Sequence, residues 1–390
     1  MPRGWVVKAD GMIVGVPAES FPGERRVALV PELVSKLTAA GMEVYVQFGA
    51  GVEAGFGDHD YEEKGARLAP EVFAKADVLL KVRPPAADEI QKLREASVLI
   101  GLLDPYTSEV QIRLLGARKV TSFAMELMPR IARAQPMDTL SAMSTVAGYK
   151  AVLLAANRLP KFFPLLMTAA GTITPARVFV VGAGVAGLEA IGTAKRLGAV
   201  VEAYDTRSAA KEEAQSVGAR FVELTLDTKD AEEKGGYARA ESPEFYEKQQ
   251  ALMFEHVARA DVVITAALVR GRHAPILLTE AMVRAMRPGS VIVDLASAQG
   301  GNCALTEADK EVVRYGVVIM GPTNLPSTMP FHSSQLYART VANFLLHLFP
   351  DGKIRLDPND ELTHATLVTH QGELVNDALK AAFAVRPRIS

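Results

Sequence analysis

Cysteine is almost missing from this sequence of 390 residues. Cys303 stands alone, which excludes an internal disulfide framework and any multi-cysteine metal or iron–sulfur site within one chain, and points to a cytoplasmic setting. An excess of one charge is missing too. Lysines and arginines number 43 against 45 acids, a formal charge of -2, so no strong field attracts nucleic acid or anionic lipid. A bilayer is crossed by about 20 predominantly apolar residues in a row. The best candidate, 178–194, is broken by Gly182, Gly184, Gly187, Glu189 and Gly192, so direct membrane insertion is not expected. Residues 1–10 carry Arg3, Lys8 and Asp10 and lack the apolar centre of a signal peptide, so they read as an extension before Met12. The seven histidines (His59, His256, His273, His332, His347, His364 and His370) show no metal-ligand spacing, and no metal site is expected. There is no nucleophile-elbow serine and no phosphate P-loop, so hydrolysis and phosphoryl transfer have no visible machinery.

What is present is an ordinary globular composition, 49% apolar and 23% charged, in a chain long enough for two domains. After Met12, short Val/Ile/Leu runs alternate with helical segments, the pattern of an α/β fold with parallel sheets covered on both faces. Strands are expected at 13–16, 44–48, 78–82, 98–102, 120–125, 178–181, 200–204, 221–224, 262–265, 291–295 and 317–320. Two passages echo each other, Ala74-Lys-Ala-Asp77-Val-Leu-Leu80 and Ala258-Arg-Ala-Asp261-Val-Val-Ile264, and Gly41 precedes one strand as Gly198 precedes another. The expected architecture is two related doubly wound, Rossmann-like domains joined by long helices, with a ligand cleft between them. One domain takes 1–140 plus 330–390 and the other 141–329. The bridging helices fall at 140–158 and 335–348, and 361–375 alternates like a hairpin about Gln371-Gly372.

The strongest local signal is a strand running into Gly182-Ala-Gly184-Val-Ala-Gly187 and then a helix, the dinucleotide fingerprint in its required context. Gly182 makes the turn, Gly184 lets the backbone approach a pyrophosphate and Gly187 lets helix and strand pack closely. A second strand ends at Asp205, whose carboxylate suits the adenosine ribose hydroxyls and favours NAD(H) over NADP(H); Arg207 nearby weakens that preference. Hydride transfer fits these observations, because such a cofactor carries the chemistry and the protein positions it. Two loops stay open on spacing alone. In 128–141, Arg130 and Asp138 could pair and leave Gln135 to touch a ligand, or the stretch could be solvated with a structural ion pair. In 227–250, Lys234-Gly235-Gly236-Tyr237 suits a lid or a plain surface excursion equally.

Residues 163–188, Phe-Pro-Leu-Leu-Met-Thr-Ala-Ala-Gly-Thr-Ile-Thr-Pro-Ala-Arg-Val-Phe-Val-Val-Gly-Ala-Gly-Val-Ala-Gly-Leu, resemble the NAD(H)-binding domain I of the proton-translocating NAD(P) transhydrogenase alpha subunit. Gly23-Glu-Arg-Arg-Val-Ala-Leu, Ala124-Met-Glu-Leu-Met-Pro-Arg130, Gly300-Gly-Asn-Cys and Thr323-Asn-Leu-Pro-Ser extend the resemblance over nearly the whole chain from Met12. It implies that Arg130, Gln135, Asp138 and Ser141 serve the nicotinamide end of NAD(H), with Gln135 reaching toward NADP(H) on a partner subunit. It further implies that Gly236 and Tyr237 belong to a mobile loop over the nucleotide, that Gln249 and Leu268 touch it, and that Val185, Ala186, Asp205, Thr206 and Arg207 meet its pyrophosphate and ribose. A homodimer, an NADP(H)-binding domain, a membrane-spanning partner subunit and a peripheral place on the inner face of the cytoplasmic membrane are also implied; with no spanning helix before Ser390, the proton path is expected on other chains.

Alanine dehydrogenase shares the architecture and is the rival. Arg26 and Lys81 match its substrate-binding cations, but its catalytic histidine falls at Asp104 here and its catalytic aspartate at Ala298. Amino-acid oxidation then lacks an acid/base partner, and the 234–250 insertion resembles the transhydrogenase. A non-catalytic NAD(H)-sensing module is the remaining alternative.

Overall fold

The computed structural model describes residues 6–7, 11–223, 232–233, 237–238, 243–268, 273–350, 353–357 and 359–385. Residues 1–5 and 8–10 of the N-terminal extension, Leu224, and Lys234, Gly235 and Gly236 lie outside them. The chain divides into two compact units, Met1–Met143 with Pro326–Ser390, and Ser144–Leu325.

In the first unit an eight-stranded sheet runs in the order Glu373–Leu374, Leu367–His370, Thr121–Ala124, Val98–Gly101, Val78–Leu80, Met12–Val16, Met42–Gln47, Arg67–Ala69. The last six of these are mutually parallel. Parallel neighbours need crossover segments that cover both faces, so the strands read as continuous apolar runs. Alternate residues accordingly enter different cores: Val78, Leu80, Val98, Ile100 and Phe123 one, Leu79, Leu99 and Ala124 the other. The Pro330–Leu348 helix buries Tyr337, Val341, Phe344, Leu345 and Leu348 in the first of these. Phe344 meets Phe123 edge to face at 5.3 Å.

The second unit carries a seven-stranded sheet in the order Arg220–Phe221, Val200–Tyr204, Arg177–Val181, Val262–Thr265, Val291–Asp294, Val317–Met320, Glu311–Arg314, with only the last antiparallel. Strand order reverses between Arg177–Val181 and Val262–Thr265, the switch point where doubly wound sheets bind ligands.

The echo in sequence is an echo in hydrogen bonding. Asp77 donates its amide to the Ile13 carbonyl and accepts the Ile13 amide on its carboxylate, both at 2.9 Å. Asp261 does the same with Arg177, again at 2.9 Å. Each aspartate thereby clips the strand after the reversal to the first strand of its own unit. Gly41 and Gly198 end helices with φ of +89° and +88°, a left-handed conformation that glycine adopts freely.

The first expected bridge is the Thr139–Arg158 helix and the second is Pro330–Leu348. Thr139–Arg158 is the one helix among the described residues long and apolar enough to cross a membrane, yet Ala151, Val152 and Ala155 lie in the second unit's protein core. Three expectations need correction. Residues 361–366 form the helix Glu361–Thr366, capped by the Asp360 side chain accepting from Thr363 N, so that only 367–374 make the hairpin about Gln371-Gly372. The polar stretch expected as a loop to residue 250 is helical from Pro243, because Gln249, Met253 and Val257 form a buried stripe that begins on a polar residue. Strands Arg67–Ala69 and Glu311–Arg314 were not anticipated; both are short and partly exposed.

Gly148 sets how closely Thr139–Arg158 approaches Val185–Arg196, since a Cβ there would lie 2.1 Å from the Ala186 carbonyl oxygen. Gly148→Ala is expected to lower stability by about 1–3 kcal/mol through overpacking. Urea unfolding of the two proteins checks this, and an unchanged midpoint and slope would contradict the close approach.

Candidate dinucleotide-binding site

The Arg177–Val181 strand ends at Gly182, which turns the chain with φ +94°. Its amide donates to the Tyr204 carbonyl at 2.8 Å, and the Ala266 amide donates to the Val181 carbonyl at 2.8 Å. The turn is thus tied to both neighbouring strands. A Cβ on Gly182 would sit 2.9 Å from the Ala266 and Ala267 backbone, and one on Gly187 only 1.9 Å from the Gly182 oxygen. Gly184 differs, because the only heavy atom within 4 Å of its Cβ position is the Arg207 Nη2 at 4.0 Å. Gly184 caps the Val185–Arg196 helix with no side chain over its first turn. The first amides of a helix lack intrahelical acceptors and present partial positive charge, which suits a phosphate. Val185 is exposed and Ala186 half-buried at this end. The open side of Gly184 and the acid on the adjoining strand fit a dinucleotide.

Asp205 follows the Val200–Tyr204 strand and accepts four bonds. Ala183 N donates to Oδ2 at 2.8 Å, Arg207 N and Nε to Oδ1 at 2.9 and 3.0 Å, and Arg207 Nη2 to Oδ2 at 3.0 Å. Thr206 is half-buried between them. Gln249, 4% exposed, donates its side-chain amide to the Tyr204 hydroxyl at 3.0 Å. Leu268 is 41% exposed on the segment after Val262–Thr265. Of the expected loop residues, Gly236 lies outside the described residues and Tyr237 is described only as part of the Tyr237–Ala238 strand.

The segment after Val262–Thr265 is held by Asn302, a residue to which the sequence attached no role. Asn302 accepts the Ala267 amide at 3.0 Å and donates to the Ala267 and Pro275 carbonyls at 2.9 and 2.8 Å. Asn302 is placed by Asp294, fully buried, which accepts from Thr265, Ala296, Asn302, Cys303 and Thr306. Five donors stabilise a buried charge that would otherwise be costly. The signal was an aspartate closing a buried strand, a few residues before paired glycines.

In the first unit, Arg130 is exposed and Gln135 is exposed on the 3₁₀ turn Ala132–Met137. Both Asp138 oxygens accept from Ser141, its amide at 2.9 Å and its hydroxyl at 2.5 Å. The structure thus gives Asp138 the work of capping the Thr139–Arg158 helix. Asn343 donates to the Pro136 carbonyl at 2.9 Å, and Arg133 pairs with Asp360 at 2.7 Å. Burial works to raise the Asp360 pKa, but hydrogen bonds from His347 and Thr363 outweigh it and hold the carboxyl well below its usual range.

The carboxyl ends of the first unit's parallel strands gather ionisable side chains. Arg26 pairs with Glu24 at 2.6 Å, and Lys81 lies 3.3 Å from both Glu19 and Glu89. Asp104, at φ +44°, pairs with Arg83 at 3.3 Å. Glu126 accepts the Leu103 and Asp104 amides on Oε1, while its buried Oε2 has no partner among the described residues. Burial first, and then the Asp104 carboxylate, push its pKa up to about 8. Ala298 is exposed on the turn Ser297–Gln299 and brings no proton-transfer group.

Fold and glycine turn together define a protein of two doubly wound units with a dinucleotide turn in the second. The chain belongs to the alanine dehydrogenase/PNT family, matching its N-terminal domain over residues 15–147 and its C-terminal domain over residues 151–377. It is 46% identical to the first of the alpha-subunit chains of NAD(P) transhydrogenase from Rhodospirillum rubrum, over 94% of this chain and 99% of that protein. A solved transhydrogenase from Sinorhizobium meliloti matches with a TM-score of 0.83 at 44% identity, over 94% of this chain and 99% of that one. Alanine dehydrogenase of Mycolicibacterium smegmatis is 31% identical over 94% of this chain and 96% of that protein. The resemblance read from the sequence and the Rossmann-like fold are both borne out, and identity places the chain nearer the transhydrogenase subunits.

Glu126 ionises near 4.5 in an unfolded chain and near 8 in the folded one. The folded protein keeps a proton that the unfolded chain releases, so this group's stabilising contribution is complete below pH about 4.5, falls as pH rises, and is lost above about 8. Glu126→Gln is expected to lose less stability than the parent protein between pH 5 and pH 8.5 in denaturant titrations. Equal losses would show that Glu126 is ionised throughout.

Proposed function

We propose that this chain is the NAD(H)-binding subunit of a proton-translocating transhydrogenase, passing hydride from NADH to NADP⁺ held by a partner subunit. The observation that carries the reading is near-full-length identity to transhydrogenase alpha subunits, joined to a site with no acid or base at Ala298 and with Asp104 tied to Arg83. Bound NADH supplies the hydride. The chain's own residues bind and orient. Gly182, Gly184, Val185, Ala186 and Gly187 receive the pyrophosphate on backbone amides; Asp205, with Thr206 and Arg207, takes the adenosine ribose. Gln249 fixes Tyr204, the last residue of the strand before Asp205, and Leu268 covers the nucleotide, as do Gly236 and Tyr237. Arg130, Gln135, Asp138 and Ser141 serve the dihydronicotinamide, where holding a reactive pose supplies much of the acceleration. The chain works as a homodimer with an NADP(H)-binding domain and a membrane-spanning subunit, at the inner face of the cytoplasmic membrane.

Stopped-flow mixing of this chain and NADH with a purified NADP(H)-binding transhydrogenase domain loaded with an NADP⁺ analogue is expected to show fast exchange that needs both proteins. Alanine-dependent NAD⁺ reduction by this chain alone would establish an alanine dehydrogenase instead, and tight NADH binding without exchange a sensing module.

Asp205→Ala is expected to weaken NADH binding by about 1–3 kcal/mol, the scale of lost charge-assisted hydrogen bonds. Unchanged affinity in a fluorescence titration would remove Asp205 from the site.

Asn343→Ala frees Pro136 beside Gln135 and is expected to slow transfer about tenfold or more, since small misplacements are costly in positioned reactions, while NADH affinity stays within about twofold. If Gln135→Ala slows transfer and Asn343→Ala does not, the loop acts without that anchor.

A further inference from the structure

An ionised carboxylate offers about four acceptor positions, and the protein's own donors fill four on Asp205. Two come from main-chain amides, Ala183 and Arg207, and two from the Arg207 guanidinium. Asp205 and Arg207 side chains are 8% and 16% exposed, so the pair is largely shielded from water, where such bidentate contacts are strong. A ribose diol therefore reaches Asp205 only by displacing a donor. The Ala183 amide is fixed by the Gly182 turn, and the Arg207 amide is main chain leading into the Ala209–Ser216 helix. The guanidinium, on rotatable bonds, is the donor that can leave, and its Nη2 already stands at the open side of Gly184.

Resting on the NAD(H) reading above, we propose that Arg207 is a specificity-determining exchange residue. Its guanidinium gives up Asp205 to the ribose diol and turns to the pyrophosphate beside Gly184. Two hydroxyl donors replace two guanidinium donors one for one, so Asp205 is never left buried and unpaired. A 2′-phosphate brings acceptors instead. It draws the guanidinium to itself and leaves Asp205 without replacement donors, so preference for NAD(H) follows from donor count as well as from repulsion.

The test is calorimetric titration of the full chain and its Arg207→Ala and Arg207→Lys variants with adenosine, ADP-ribose and 2′-AMP. With Arg207→Ala, adenosine is expected to bind about fivefold tighter, because its competitor for Asp205 is gone. ADP-ribose is expected to bind about tenfold more weakly, because a charged phosphate contact is lost. The ratio of adenosine to 2′-AMP affinity should rise. Arg207→Lys keeps the cation without the two-pronged contact, so adenosine should again tighten while ADP-ribose stays closer to the parent value; this variant carries the test if Arg207→Ala does not fold. If the parent binds ADP-ribose and both variants shift adenosine and ADP-ribose in the same direction, the exchange is wrong and the NAD(H) reading stands. If the parent binds neither ADP-ribose nor NADH, the NAD(H) reading fails and the exchange with it.

Discussion

Close approach of backbone to backbone governs the second unit. The Gly182 carbonyl occupies the space where a side chain at 187 would begin, and the Ala186 carbonyl the space where one at 148 would begin. Three segments, a strand and two helices, are thereby drawn together at one end of the sheet. Helix amides, the Asp205 carboxylate and the segment carrying Leu268 all take their places from that contact. A larger residue at either glycine would separate the layers before it touched any ligand.

Much of the architecture could be read from residue order. Buried parallel strands such as Val262–Thr265 and Val291–Asp294 are unbroken apolar runs, and bridging helices show their period directly. The Asp77 and Asp261 echo was visible as spelling, and the structure shows it as the same pair of hydrogen bonds twice. Failures came where a distant or local polar group decided the outcome. Asp360 makes Glu361–Thr366 a helix by capping it, although the residues alternate like a strand. Glu311–Arg314 exists because Val317–Met320 offers it an edge, and its own composition gives no sign of that.

At the site, the glycines and Asp205 were legible because each meets a geometric need stated by a short motif. The anchors were not. Asn343 lies 207 positions from Pro136, and no local pattern announces such a bond. Arg207 was visible as a complication for cofactor choice, whereas its closure on Asp205 depends on a rotamer that composition does not specify. Asp138 illustrates a competing use: a carboxylate immediately before a helix, with Ser141 in the first turn, finds a cap before it finds an ion pair.

Gly301 would place a Cβ 2.7 Å from an Asp294 oxygen, and that carboxylate gathers the amides and hydroxyls of residues 265, 296, 302, 303 and 306. Substitutions along this stretch will therefore not add. Losing any one donor leaves the same buried charge short of partners, so a second loss removes little that the first had not already undone. Variation between relatives should come there as whole exchanged blocks, with single positions free to drift only where the carboxylate does not reach.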